Sequence, residues 1–81
     1  MTWVVYILRC SDDTLYTGIT NNFEKRSSAH EQGMGAKYTR GRGPFELLYK
    51  EVVEDRAAAT RRELEIKGLD RLEKLKLGEK R

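Results

Sequence analysis

Two phenols, a guanidinium, an imidazole and one carboxylate give this chain side chains suited to proton transfer and phosphate binding. Tyr6 and Tyr16 sit in two short apolar runs on either side of Ser11-Asp12-Asp13, and Gly18 follows the second. Read with a period of two, Val4, Tyr6, Leu8 and Cys10 point to one side of the first run, and Trp3, Val5 and Ile7 to the other. In the second run Tyr16 and Gly18 share a side, opposite Leu15, Thr17 and Ile19. The pattern predicts a β-hairpin with a three-residue polar loop. A register centred on Ser11 sets Tyr6 directly opposite Tyr16, with the bare backbone of Gly18 beside them, leaving room for a molecule to lie on the sheet.

Thr20-Asn21-Asn22 offers capping side chains for a helix over Phe23 to Gln32, which Gly33 ends. At about 100° per residue, Phe23, Arg26, Ser27 and His30 share a face. If Phe23 docks on the sheet, Arg26 and His30 are carried toward the hairpin. An ion pair along its own helix does not account for Arg26, because the positions three and four residues away hold Asn22, Phe23, Ala29 and His30. A pair with an acid elsewhere in the fold is the alternative.

Gly33 to Pro44, GMGAKYTRGRGP, reads as a glycine-rich loop carrying Lys37, Tyr38, Arg40 and Arg42 and no acid. Clustered cations with an aromatic suit a phosphodiester backbone; a solvated polar loop is the plainer reading. Phe45 to Val53 alternates as a third strand, and Asp55 caps a helix starting near Arg56. Within that helix Ala59, Glu63 and Ile66 fall on one stripe, so Glu63 lies at the buried edge. A carboxylate there calls either for a ligand or for a salt bridge, to Lys67 one turn on or to an arginine elsewhere. Asp70 opens a short closing helix over Leu69 to Leu77, with Gly78 and the residues after it frayed.

The chain has 81 residues, one domain's worth, spanning 1–81, with 16 Lys and Arg against 13 Asp and Glu. The resulting +3 permits an anionic partner without requiring one. A single cysteine, Cys10, excludes an internal disulfide framework and a Cys/His zinc cluster, and reads as strand-end packing. No stretch approaches the roughly 20 apolar residues of a membrane span, and the first apolar run lacks a preceding cation and is too short for a secretion signal. The expectation is a cytoplasmic protein.

The order strand, strand, helix, strand, helix, helix, with Val4-Val5-Tyr6, Tyr16-Thr17-Gly18, Arg26 and Glu63 in sequence, resembles the GIY-YIG nuclease family, and within it the short stand-alone bacterial proteins. The resemblance runs from Trp3 to about Leu75 and includes AKYTRGRGP and the RRELEIK helix. It implies an α+β fold, a small three-stranded antiparallel sheet flanked by helices, and metal-dependent hydrolysis of DNA phosphodiesters, with a place in DNA repair or processing. By the same resemblance Tyr6 and Tyr16 are the motif tyrosines, Gly18 the closing glycine, Arg26 the helix arginine and Glu63 the ligand of one Mg²⁺ or Mn²⁺. His30 stands where members carry a histidine or a tyrosine. Two positions depart from the pattern: Val4 replaces the opening glycine, and Ile19 stands where some members have a lysine.

On this reading Glu63 supplies one hard oxygen ligand, Arg26 grips a non-bridging phosphoryl oxygen, Tyr6 is the base assisted by His30, and Tyr16 orients water or phosphate. An ordinary tyrosine, with a pKa of about 10, is only about 0.1% ionised at neutral pH, so His30, Lys37 or Arg26 must assist it. Phosphate contacts from Arg26, Lys37, Arg40 and Arg42 predict a log–log salt slope of about −3 to −4 and loose, sequence-independent binding. The alternative is a nucleic-acid-binding module that keeps the fold without cutting.

Overall fold

The computed structural model describes residues 2–31 and 43–79. Strands β1 (Trp3–Arg9) and β2 (Leu15–Thr20) form the hairpin, followed by α1 (Phe23–Glu31), β3 (Glu46–Val53), α2 (Arg56–Lys67) and α3 (Arg71–Glu79). The fold is α+β: a three-stranded antiparallel sheet in the order β2-β1-β3, with helices on both faces. The most apolar strand, β1, takes the centre.

The hairpin loop is Ser11-Asp12-Asp13, as the polar break predicts, but the register differs from the expected one. Asp13 N–H donates to the Cys10 carbonyl at 2.9 Å and Cys10 N–H to the Thr14 carbonyl at 2.8 Å. Asp13 adopts a left-handed φ of 70°, the conformation that completes a three-residue hairpin loop after a tight turn. Asp12 holds the exit, accepting from the Thr14 hydroxyl at 2.6 Å and its N–H at 3.2 Å. Closure between Cys10 and Thr14 centres the hairpin on Asp12, not Ser11. Tyr6 therefore pairs with Gly18, and Tyr16 with Leu8. The two phenols keep a common face but stand diagonally, ring centroids 6.3 Å apart.

The opposite face carries the core. Val5 and Ile7 pack against Ala59 and Ile66 of α2, with Trp3, Leu15, Ile19, Leu48, Tyr49, Val53 and Leu77 closing around them. The periodic stripe predicted for α2 is thus the one it buries. Asp55 caps this helix by accepting from Ala58 N–H at 2.8 Å, and Asp70 caps α3 by accepting from Glu73 N–H at 2.9 Å. The α3 helix does not fray at Gly78. A Cβ there would lie 2.8 Å from the Leu48 carbonyl oxygen and side chain, so the missing side chain lets the last turn settle on β3. Leu48 is itself the extra residue of a bulge, since Ile7 pairs with Tyr49 and Leu8 with Leu47.

No helix among the described residues is long and apolar enough to cross a membrane.

Candidate active site

The site is built on the face of the sheet away from the core. Tyr6 is 1% exposed in the central strand, and its ring meets Phe23 of α1 edge-on at 5.3 Å. Phe23 therefore docks on the sheet as its apolar character predicts. Asn22 caps α1, accepting from Lys25 N–H at 3.1 Å, and the Thr20 hydroxyl in turn accepts from Asn22 N–H at 3.0 Å. The helix is thereby tied to the end of β2, which sets which way its Phe23, Arg26 and His30 project.

His30, also 1% exposed, is hydrogen-bonded through Nε2 to the Tyr6 hydroxyl at 3.0 Å. Its ring packs edge-on against Tyr16 at 5.3 Å and against Phe45 at 5.9 Å. The Arg26 guanidinium interacts with both phenols, and both raise its pKa, Tyr6 most. A guanidinium cannot accept a proton, so beside Arg26 the Tyr6 hydroxyl is left to donate to His30 Nε2, in the tautomer whose Nε2 accepts. The Tyr6 phenol thus stands between a guanidinium that acts on it and an imidazole to which it is hydrogen-bonded.

Gly18 makes this arrangement possible. A Cβ on it would lie 2.6 Å from the Tyr6 hydroxyl oxygen and 2.9 Å from Cε2 of Tyr16. The phenol occupies the space that any other residue would fill.

Burial pushes the Tyr6 pKa up to about 12; the Arg26 hydrogen bond and positive charge pull it down, while the neighbouring Tyr16 and Glu63 push it further up. The carboxylate of Glu63 thus acts weakly on the Tyr6 phenol, although α2 packs on the other face, where it meets all three strands, β1 and β2 most. Glu63 is 19% exposed, and its direct side-chain partner among the described residues is Lys67, Nζ to Oε2 at 3.5 Å. The salt bridge weighed for Glu63 is present, in the one-turn form.

A profile of the GIY-YIG catalytic domain matches residues 2–76. This chain belongs to the GIY-YIG family. It is 60% identical over 73 residues to a UPF0213 protein of Oceanobacillus iheyensis, covering 90% of this chain and 85% of that one. A second UPF0213 protein, from Clostridium perfringens, is 59% identical, covering 90% and 78%. The solution NMR structure of a UPF0213 protein from Bacillus halodurans aligns with a TM-score of 0.60 at 45% identity over 95% of this chain and 82% of that one. That of a protein from E. faecalis gives 0.66 at 36% identity, covering 94% and 81%.

The GIY-YIG positions thus fall into two groups. Tyr6, Tyr16, Gly18, Arg26 and His30 are joined by direct contacts, and Glu63 stands one layer away beside its lysine. Lys37, Tyr38, Arg40 and Arg42, expected to touch nucleic acid, lie outside the described residues. Two contributors carry no signal in the motif pattern. Phe45 walls His30 from the start of the β3 segment. Lys50, paired with Tyr6 across β1 and β3, sets its ammonium 5.0 Å from the Phe23 ring centroid. Its place opposite Tyr6 follows only from the β1–β3 register, which the bulge at Leu48 resets.

Among the described residues no group of three or more His, Cys, Asp or Glu converges on a point that could cage a metal. A hard divalent ion that draws most of its oxygens from water and phosphate needs only one carboxylate. Glu63 fits that demand, because its partner Lys67 is 52% exposed and free to swing into solvent.

Proposed function

We propose that this protein is a divalent-metal-dependent endonuclease acting on DNA in the cytoplasm, in repair or processing. The buried Tyr6–His30 hydrogen bond, with the Arg26 guanidinium acting on the same phenol, carries the reading. A buried phenol–imidazole pair placed over a glycine, with a part-exposed guanidinium beside it, is a poor way to fill a core and a suitable way to handle a phosphate and a proton.

Glu63 is the residue to hold Mg²⁺ or Mn²⁺, which when bound neutralises charge on the phosphoryl and leaving oxygens. Arg26 holds a non-bridging oxygen through its planar fork of donors. With a pKa near 12, Tyr6 is not a ready phenolate. It works as a relay: its oxygen takes a proton from the attacking water while its own proton passes to His30 Nε2. The water oxygen bonds to phosphorus, the P–O bond to the leaving oxygen breaks, and that oxygen takes up a proton from solvent. Tyr16 positions the water or phosphate beside Gly18.

The test is supercoiled plasmid with Mg²⁺ or Mn²⁺, comparing the wild type with Glu63→Ala and Tyr6→Phe. Metal-dependent nicking lost in both variants is the expected result. Equal nicking by the wild type and Glu63→Ala overturns it. Gel retardation without nicking supports the second reading, a binding module, which the Glu63–Lys67 pair favours because it already satisfies the carboxylate.

A further inference from the structure

Beyond the phenols, the outer side of β2 faces the corner between α2 and α3. There, Leu15, Tyr16 and Thr17 of the strand and Lys67 and Lys74 of the helices line a hollow of about 290 Å³. A second hollow of about 250 Å³ adjoins it, sharing Leu15 and Lys74 and adding Thr14 and Arg71. The two form one trough, and among the described residues no acidic side chain lines either. Arg71 is held by Asp13 at 3.0 Å, and Asp13 also binds Arg9 at 2.6 Å. The two guanidinium groups outweigh the one carboxylate behind the trough wall. No carboxylate among the described residues pairs with Lys74.

The trough is continuous with the candidate site at both of its inner residues. Tyr16 belongs to the phenol cluster, and Lys67 to the pair with Glu63. Its lining combines the β2 edge at Leu15, Tyr16 and Thr17 with cations of α2 and α3, which matches a sugar–phosphate backbone: sugars along the strand, anionic oxygens at the cations.

We infer that this trough seats the DNA backbone running away from the scissile phosphate, with Lys74 as its phosphate contact. The inference rests on the nuclease reading and names a track the motif residues do not include. It gives the DNA a direction, from the phenols past Lys67 to Lys74 along α3, in addition to any contact made by the Gly33–Pro44 segment.

The test measures binding of a fluorescent DNA duplex by anisotropy across a salt series, without divalent metal, for the wild type, Lys74→Gln and Lys76→Gln. Lys76 lies on the same helix but not in the trough, so the control removes the same charge elsewhere. The log–log salt slope of Lys74→Gln is expected to shrink by about 0.9, one phosphate contact, with Lys76→Gln unchanged. Equal slopes for Lys74→Gln and the wild type, or equal shrinkage in both variants, overturn the inference. Plasmid nicking by the wild type is scored separately: nicking with an unaltered Lys74→Gln slope sinks the track alone, whereas absence of both nicking and binding sinks the nuclease reading with it. Melting curves for both variants exclude a folding defect, and a Lys74→Arg variant restores the slope.

Discussion

The Cα of Gly18 and the hydroxyl of Tyr6 share a space in which a single added carbon would stand 2.6 Å from the oxygen. The obstruction lies within the sheet, where Gly18 is the cross-strand partner of Tyr6, so the phenol cannot turn away without leaving its partners Arg26 and His30. Gly18→Ala is expected to lower stability by about 1–3 kcal/mol, the usual cost of overpacking, and to abolish nicking. Urea unfolding and plasmid assays on one preparation check both; a fully stable, fully active Gly18→Ala protein contradicts the geometry.

Removing the Tyr6 hydroxyl deprives His30 of a partner in a site where both residues are 1% exposed. Tyr6→Phe should cost about 1–3 kcal/mol, the penalty for disturbing a buried polar pair. The double variant Tyr6→Phe/His30→Leu should recover part of that loss, since an apolar pair needs no hydrogen bond. Nicking should be absent from both. A double variant less stable than the sum of the single changes shows that the histidine is held by its other contacts and not by the phenol.

Burial of Tyr6 gives stability a dependence on alkaline pH. The unfolded phenol loses its proton near 10 and the folded one near 12, so between these values the native state binds the extra proton. Stability is then fully present below pH 10 and falls as pH rises toward 12, by about 3 kcal/mol at most at 1.36 kcal/mol per unit. Tyr49, whose pKa burial also raises, adds to the same slope. Denaturant unfolding from pH 9 to 11.5 should show a shallower fall for Tyr6→Phe than for the wild type. An identical slope shows that Tyr6 titrates normally.

The fold was legible in the sequence wherever one segment decided its own structure. The apolar run of β1, the cap at Asp55 and the stripe of Ala59, Glu63 and Ile66 each carry their own pattern, and each stands where it was expected. What depended on two segments at once was less legible. Whether the hairpin centres on Ser11 or Asp12 turns on the left-handed conformation of Asp13, and that one-residue choice moved Tyr6 from facing Tyr16 to facing Gly18. Gly78 looks like a helix stop until Leu48, thirty positions earlier in the chain, is seen to need the space. Whether Glu63 had a partner also stayed open in sequence, because a lysine at the next turn is compatible with a salt bridge and with a ligand awaiting a metal.

The Glu63–Lys67 pair gives the remaining prediction. An ion pair with one partner 52% exposed contributes less than about 1 kcal/mol, so Glu63→Gln should leave stability nearly unchanged while reducing nicking by at least about 100-fold, a loss of roughly 3 kcal/mol in barrier lowering. The ammonium also competes with any cation for the same carboxylate. Lys67→Gln removes that competitor and should tighten Mn²⁺ binding measured by calorimetry, while weakening duplex binding because Lys67 lines the trough beside Tyr16. Opposite signs for the two effects in one variant identify Glu63 as the metal ligand and Lys67 as its counter-ion. Unchanged Mn²⁺ affinity in both Lys67→Gln and Glu63→Gln removes Glu63 from the metal site.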